Sequence, residues 1–200
     1  MDKDVVGVTI GAPGQSSALA LLHARREVGP KSPATFQVPV KTIWTVIKLE
    51  RFEPRTPDDE IIAFIRQLWH EFPINEPTTR FDRVAIDSNG GRETATKIFR
   101  DGLDGISLKA VLVTTGASDA GKVSRQELLT KLRQKNEREE FEILEDLPLA
   151  SELRAQMQQA NQSEKWREQG VDDDLLSAAA LALWRATRPQ GGFRESPFIA

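Results

Sequence analysis

Cysteine is absent from the 200 residues of this chain. That excludes a disulfide framework and a thiolate nucleophile or metal ligand, and it fits a reducing compartment. Histidine is nearly as scarce, with only His23 and His70 present. A histidine-rich zinc site is therefore excluded. Any metal would be held by oxygen, which points to magnesium or manganese. No apolar run approaches the roughly 20 residues that span a bilayer, and the N-terminus lacks a signal-peptide pattern. A soluble, cytoplasmic protein with no membrane partner is expected. A surplus of positive charge is missing too: the net charge is −3, so nucleic-acid contact would need a local patch. Repeats, low-complexity tracts and signs of a second domain are lacking as well. Residues 1–188 read as one domain, long enough to bury a core, and 189–200 as a flexible C-terminal tail containing Gly191-Gly192.

What is present alternates in type along the chain. Residues 5–10 are rich in β-branched side chains and lead through a Gly-Ala-Pro-Gly turn into a second strand at 18–25, so the two form a hairpin. A proline-bearing loop at 28–39 precedes a third strand in which Ile43, Thr45, Ile47 and Leu49 alternate with Trp44, Val46 and Lys48. Thr56-Pro57 opens a helix with Ile61, Ile62, Ile65, Leu68 and Trp69 on its apolar face. A strand at 83–87, a helix at 92–100 stopping near Gly102 and a strand at 108–114 follow. Ser124-Arg-Gln-Glu127 is a capping box for a helix running to about 138. A short strand at 141–144, a helix at 148–159 and a polar connection at 161–170 come next. The expected fold is a mixed α/β sheet, its first three strands antiparallel and the later ones parallel, with helices on both faces.

Gly170 to Trp184 organises the rest. Asp172, Asp173 and Asp174 open a segment of Leu and Ala that is apolar on nearly every side, as in a buried helix. One acid there would favour the positive end of the helix dipole, worth about 0.3–1 kcal/mol. Three like charges against an apolar core repel one another and call for a counter-charge or a cation. Asp87 ends the Arg83–Asp87 strand just before a Ser-Asn-Gly-Gly turn. Acids at a strand end and at a buried helix start could meet over the sheet edge and hold divalent metal; the alternative is that they are cap and turn residues.

The order of these parts resembles the ribonuclease H-like fold, and more narrowly the nuclease domain of phage terminase large subunits. The family's late motif, roughly Gly-x-His-Asp-Asp-Leu-x-x-Ala, is similar to Gly170-Val-Asp-Asp173-Asp174-Leu175-Leu-Ser-Ala178, with Asp172 at the histidine position. Its middle acid, in an Asp-x-x-Gly frame, matches Asp87 and Gly90. The resemblance spans about residues 4–186 and implies a two-metal DNA endonuclease whose metal ligands here would be Asp87, Asp173 and Asp174. It departs at the first strand. Where the family has Gly-x-Asp-x-Gly, this chain has Gly7-Val-Thr9-Ile-Gly11, and Ser16-Ser17 stand where a second aspartate often follows. Two-metal cleavage clamps the attacking and leaving oxygens between ions about 3.5–4 Å apart, and carboxylates bridge those ions. Thr9 is thus a degenerate catalytic position. Weakened magnesium or manganese binding and weak or absent nuclease activity are expected. The resemblance further implies DNA as a partner, a host-cell cytoplasmic location if phage or prophage encoded, and a separate packaging ATPase or portal-type protein.

Other features carry less. Gly116 to Lys122 is a near match to a phosphate-binding P-loop, but Val123 replaces the Ser or Thr that would hold magnesium. Lys122, Arg125, Lys131 and Arg133 make the next helix basic and suit phosphate contact, although interleaved Glu127, Glu137, Glu139 and Glu140 also suit a solvated face. Trp44, Trp69 and Trp184 sit in apolar patterns and read as core, while Trp166 lies in a polar stretch. Both histidines read as packing residues. Besides the endonuclease, two further functions compete: a non-catalytic ribonuclease H-fold module binding DNA or protein, and, ranked last, an actin-like ATPase.

Overall fold

The β-branched opening residues form β1 (Lys3–Thr9) near the middle of a seven-stranded sheet. The structure, a computed structural model, describes residues 3–11, 14–30, 38–71, 83–87, 99–104, 106–114, 122–162 and 173–188. β2 (Ser17–Val28) and β3 (Val40–Phe52) continue as an antiparallel meander, with a register shift in β2 between Leu21 and Leu22. β4 (Arg83–Asp87) returns on the other side of β1 and runs parallel to it. β5 (Ser107–Thr114) and β6 (Lys122–Ser124) extend that parallel half. β7 (Phe141–Ile143) adds to β3 in parallel at the opposite edge. The order is β6-β5-β4-β1-β2-β3-β7.

The pleat sends alternate side chains to opposite faces. On one face Val6, Val8, Val84 and Ile86 pack against Ile61, Ile65 and Leu68 of α1 (Asp58–Glu71), whose first turn follows the Thr56-Pro57 signal. Phe99 and Leu103, in and after a helical turn ending at Gly102, join the same cluster. On the other face Val5, Ala85 and Val111 meet α2 (Arg125–Glu137), α3 (Ala150–Gln162) and α4 (Asp174–Thr187). Helices therefore cover both faces of a mixed sheet, as the periodicities predict.

α4 is the central element of its layer. Leu175, Leu176, Ala178 to Trp184 and Ala186 are all buried, and each buried leucine contributes about 1.5–3 kcal/mol. Its alanines let it come down onto the sheet backbone to backbone. A Cβ built on Gly7 would lie 2.1 Å from the Ala178 carbonyl oxygen and 2.7 Å from the Ala182 nitrogen. Glycine at position 7 is what lets the helix seat directly over β1.

The expected element boundaries grow by a few residues, most of all in β2 and β3. One strand lacks a sequence signal: Lys122–Ser124 lies against β5 at the sheet edge, where a glycine-rich loop is expected from sequence. The helix expected at 92–100 is described only in its last turn. Gly90, the stretch 115–121 of the P-loop-like motif, Trp166, Asp172 and the tail 189–200 lie outside the described residues.

Candidate functional site

Thr9 and Asp87 are partners in the parallel β1–β4 register. Each lies two residues beyond a position on the α4 side of the sheet, Gly7 and Ala85, so both side chains face α4. Thr9 is 8% exposed, and its hydroxyl donates to the Asp174 carbonyl oxygen at 3.2 Å, with the Ala18 carbonyl at 3.5 Å. The end of β1 is thereby tied to the first residue of α4. Thr9, Asp87, Arg125, Leu128, Leu129 and Ser177 line a narrow cleft between the sheet and the helices, with room for about one water molecule at most.

The two acids at the start of α4 diverge. Asp173 occupies the N-cap position, yet its side chain makes no capping hydrogen bond. It turns to α2, where its Oδ2 pairs with Nη2 of Arg125 and accepts from the Ser177 hydroxyl at 3.3 Å. Arg125 is the first residue of α2, directly after the Ser124 cap whose hydroxyl accepts from the Glu127 amide at 3.0 Å. That position aims its guanidinium across the cleft at α4, where Nη1 also donates to Ser177 at 3.3 Å.

Asp174 points the other way. Arg51 of β3 grips it in a two-pronged ion pair, Nε to Oδ2 at 2.6 Å and Nη2 to Oδ1 at 2.9 Å. Gln156 of α3 adds a hydrogen bond to Oδ1 at 3.1 Å, and the Leu175 amide another at 2.6 Å. The same Gln156 accepts from the Leu176 amide at 2.8 Å, satisfying a helix N-terminal donor that would otherwise be buried bare. The hydrogen bond to Asp174 raises the pKa of Arg51, against the opposing effect of burial, and Glu152 assists. Arg51 stays charged at every working pH, and the counter-charge that the acid run calls for is an arginine in both cases.

Of the basic residues expected to meet nucleic acid, Lys122 and Arg133 are exposed, although Arg133 also reaches the Ala160 carbonyl at 3.4 Å. Lys131 is half-buried, and its pKa is lowered by that burial, with Glu127 acting against the shift. Arg125 is 8% exposed and belongs to the cleft rather than to an outward patch. Trp184 is buried, as its apolar pattern predicts; its indole donates to Glu127 at 3.1 Å, and the Arg188 guanidinium lies 4.1 Å from the ring centre. His23 departs from a plain packing role. Its Nδ1 lies 2.6 Å from Oδ1 of the buried Asp4, its partner in the β1–β2 register.

No family model matches the chain, and no curated protein matches it by sequence. Solved structures do match. The large terminase nuclease from thermophilic phage G20c superposes with a TM-score of 0.52 at 14% identity, covering 92% of this chain and 82% of that one. The nuclease domain of the bacteriophage SPP1 large terminase, with bound manganese, gives 0.52 at 13% identity over 92% and 86%. A manganese-soaked, inhibitor-bound terminase nuclease domain of human cytomegalovirus gives 0.51 at 14% identity over 90% and 81%. The fold is that of a large-terminase nuclease domain.

Manganese in two of these nuclease domains raises the question of whether the present residues suit such an ion. The described residues do not form a two-metal set. Thr9 brings no charge, Asp174 is consumed by Arg51, Gln156 and its own helix, and Asp173 is paired with Arg125. Among the described residues no group of three acids or histidines is arranged to hold a metal. An incoming divalent ion would also meet the guanidinium. Two unit charges 4 Å apart repel by about 4 kcal/mol at an effective dielectric constant near 20, and a divalent ion would feel roughly twice that.

Proposed function

We propose that this domain is a terminase-type nuclease fold in which two-metal hydrolysis has been lost and the DNA-binding role kept. The observation that carries this reading is the pairing of Thr9 with Asp87 at the helix-facing end of the two central parallel strands. The resemblance puts a bridging carboxylate at position 9, and threonine supplies only a neutral hydroxyl, already bonded to a helix carbonyl. With both helix acids held by arginines, the chain's own residues bind and brace: Arg125 and Asp173 hold α2 to α4, and Arg51 and Asp174 hold β3 to α4. DNA is the proposed partner, met through exposed basic residues such as Lys122 and Arg133. A packaging ATPase or portal-type protein on a separate chain is the corresponding protein partner.

The test is nicking of supercoiled plasmid with magnesium or manganese, run beside a gel-shift measurement on duplex DNA. The expected result is binding without nicking above the buffer background. A second reading, an attenuated nuclease, draws support from Asp87, which stands in the cleft beside Thr9. Manganese-dependent nicking that vanishes in Asp87→Ala would establish it and overturn the first.

A further inference from the structure

We infer that Arg125 is a built-in cation that takes the place of a divalent ion in the cleft, so that the folded domain neither needs nor accepts metal there. The inference deepens the reading that hydrolysis has been lost and rests on it. Three observations meet. Arg125 lines the same cleft as Thr9, Asp87 and Ser177. Its guanidinium pairs with Asp173 and donates to Ser177, which itself donates to Asp173, so the three side chains close a ring between α2 and α4. Asp174, the next acid of the run, is neutralised on the far side by Arg51 and takes no part.

Asp87 lines the cleft beside Arg125, and Asp173 is neutralised by pairing with that guanidinium. Replacing a first-strand carboxylate with threonine removes the acid that would demand more. What remains suits one monovalent group on a tether, and a guanidinium with several N–H donors satisfies acid and hydroxyl together. Arg125 does so from the first position of a helix fixed by the Ser124 cap, so little freedom is lost in placing it. Without Arg125, the cleft would present two carboxylates and the hydroxyls of Thr9 and Ser177, an all-oxygen set of the kind that takes magnesium or manganese.

Metal binding is measured on the whole chain without DNA: thermal melting in EDTA and in manganese chloride, with free manganese followed by electron paramagnetic resonance. For the wild type the expected result is the same Tm in both buffers and no withdrawal of manganese from solution. Arg125→Ala should melt lower in EDTA and withdraw manganese, its Tm rising by about 5–10 °C when manganese reaches 100 times its Kd. Adding Asp173→Asn to that variant should abolish the rise, and Arg125→Lys, which keeps a cation, should bind none. Should Arg125→Ala not fold in EDTA, refolding on addition of manganese counts as binding, and Arg125→Gln, closer in volume, repeats the test. Manganese binding by the wild type, or none by either neutral variant, overturns the inference. Neither result touches plasmid nicking, so the proposed loss of hydrolysis stands or falls in its own assay.

Discussion

Thr9 has a hydrogen to give, and its surroundings ask for one. The nearest acceptors are the Asp174 and Ala18 carbonyl oxygens. An aspartate at position 9 would set a carboxylate against those oxygens with no proton to offer. Thr9→Asp should therefore lower stability by about 1–3 kcal/mol, read by urea denaturation in EDTA. The single change should not restore nicking, because Arg125 still fills the cleft. The double variant Thr9→Asp, Arg125→Ala is the one expected to regain manganese-dependent stability and measurable nicking. Activity in Thr9→Asp alone would mean that the guanidinium yields to metal more readily than its contacts suggest.

At the scale of elements, the site depends on how α4 is pinned at its start. Arg51 reaches Asp174 from β3 across 123 residues of sequence, and Gln156 reaches it from α3. Asp174→Ala should cost about 1–3 kcal/mol, since it leaves the Gln156 amide and the Leu175 N–H without their buried acceptor and Arg51 with Glu152 alone. Arg51→Ala added to it should cost far less than its own single effect. A double-mutant cycle should return a coupling of about 1–3 kcal/mol; additive costs would show that the pair is incidental. These pairings mark where sequence reasoning stops. The alternation in β1 and β3, the Ser124 cap and the all-round apolar face of α4 are local patterns, and they are legible because 2.0 and 3.6 residue periods survive in any sequence that buries one face. Thr9 was legible as a departure because its neighbours Gly7 and Gly11 keep the frame. Arg51 carries no local mark, and its partner is fixed only by the β2–β3 meander. Arg125 sits in a run of basic residues that suggests a solvent-facing stripe, yet the cap turns the first residue of that helix inward. β6 was hidden because three residues between a glycine-rich stretch and a helix cap are too few to show a period.

For the whole molecule, a net charge of −3 leaves the proposed DNA binding to a patch. Lys122, Arg133 and Arg138 are the exposed cations of that region. Replacing all three with alanine should weaken duplex binding and reduce the slope of log Kd against log salt by up to about 2.7, at roughly 0.9 per lost phosphate contact. Metal binding measured without DNA is indifferent to that change, so the slope isolates the surface from the cleft. An unchanged slope would move the DNA-binding face elsewhere on the fold.

The cleft also has a history within each synthesis of the chain. Thr9 and Asp174 are bonded partners separated by 165 positions. At about 5–20 residues per second, β1 emerges roughly 8–33 s before the helix that covers it. Through that interval the central strand carries a bare glycine saddle with nothing seated in it, and the Val5 and Ala85 face of the sheet is open. The helix that completes the cleft is also the lid of the core. Ribosomal pausing anywhere after β5 would therefore lengthen the life of an uncovered sheet rather than of a half-built active centre, and the hazard it creates is aggregation.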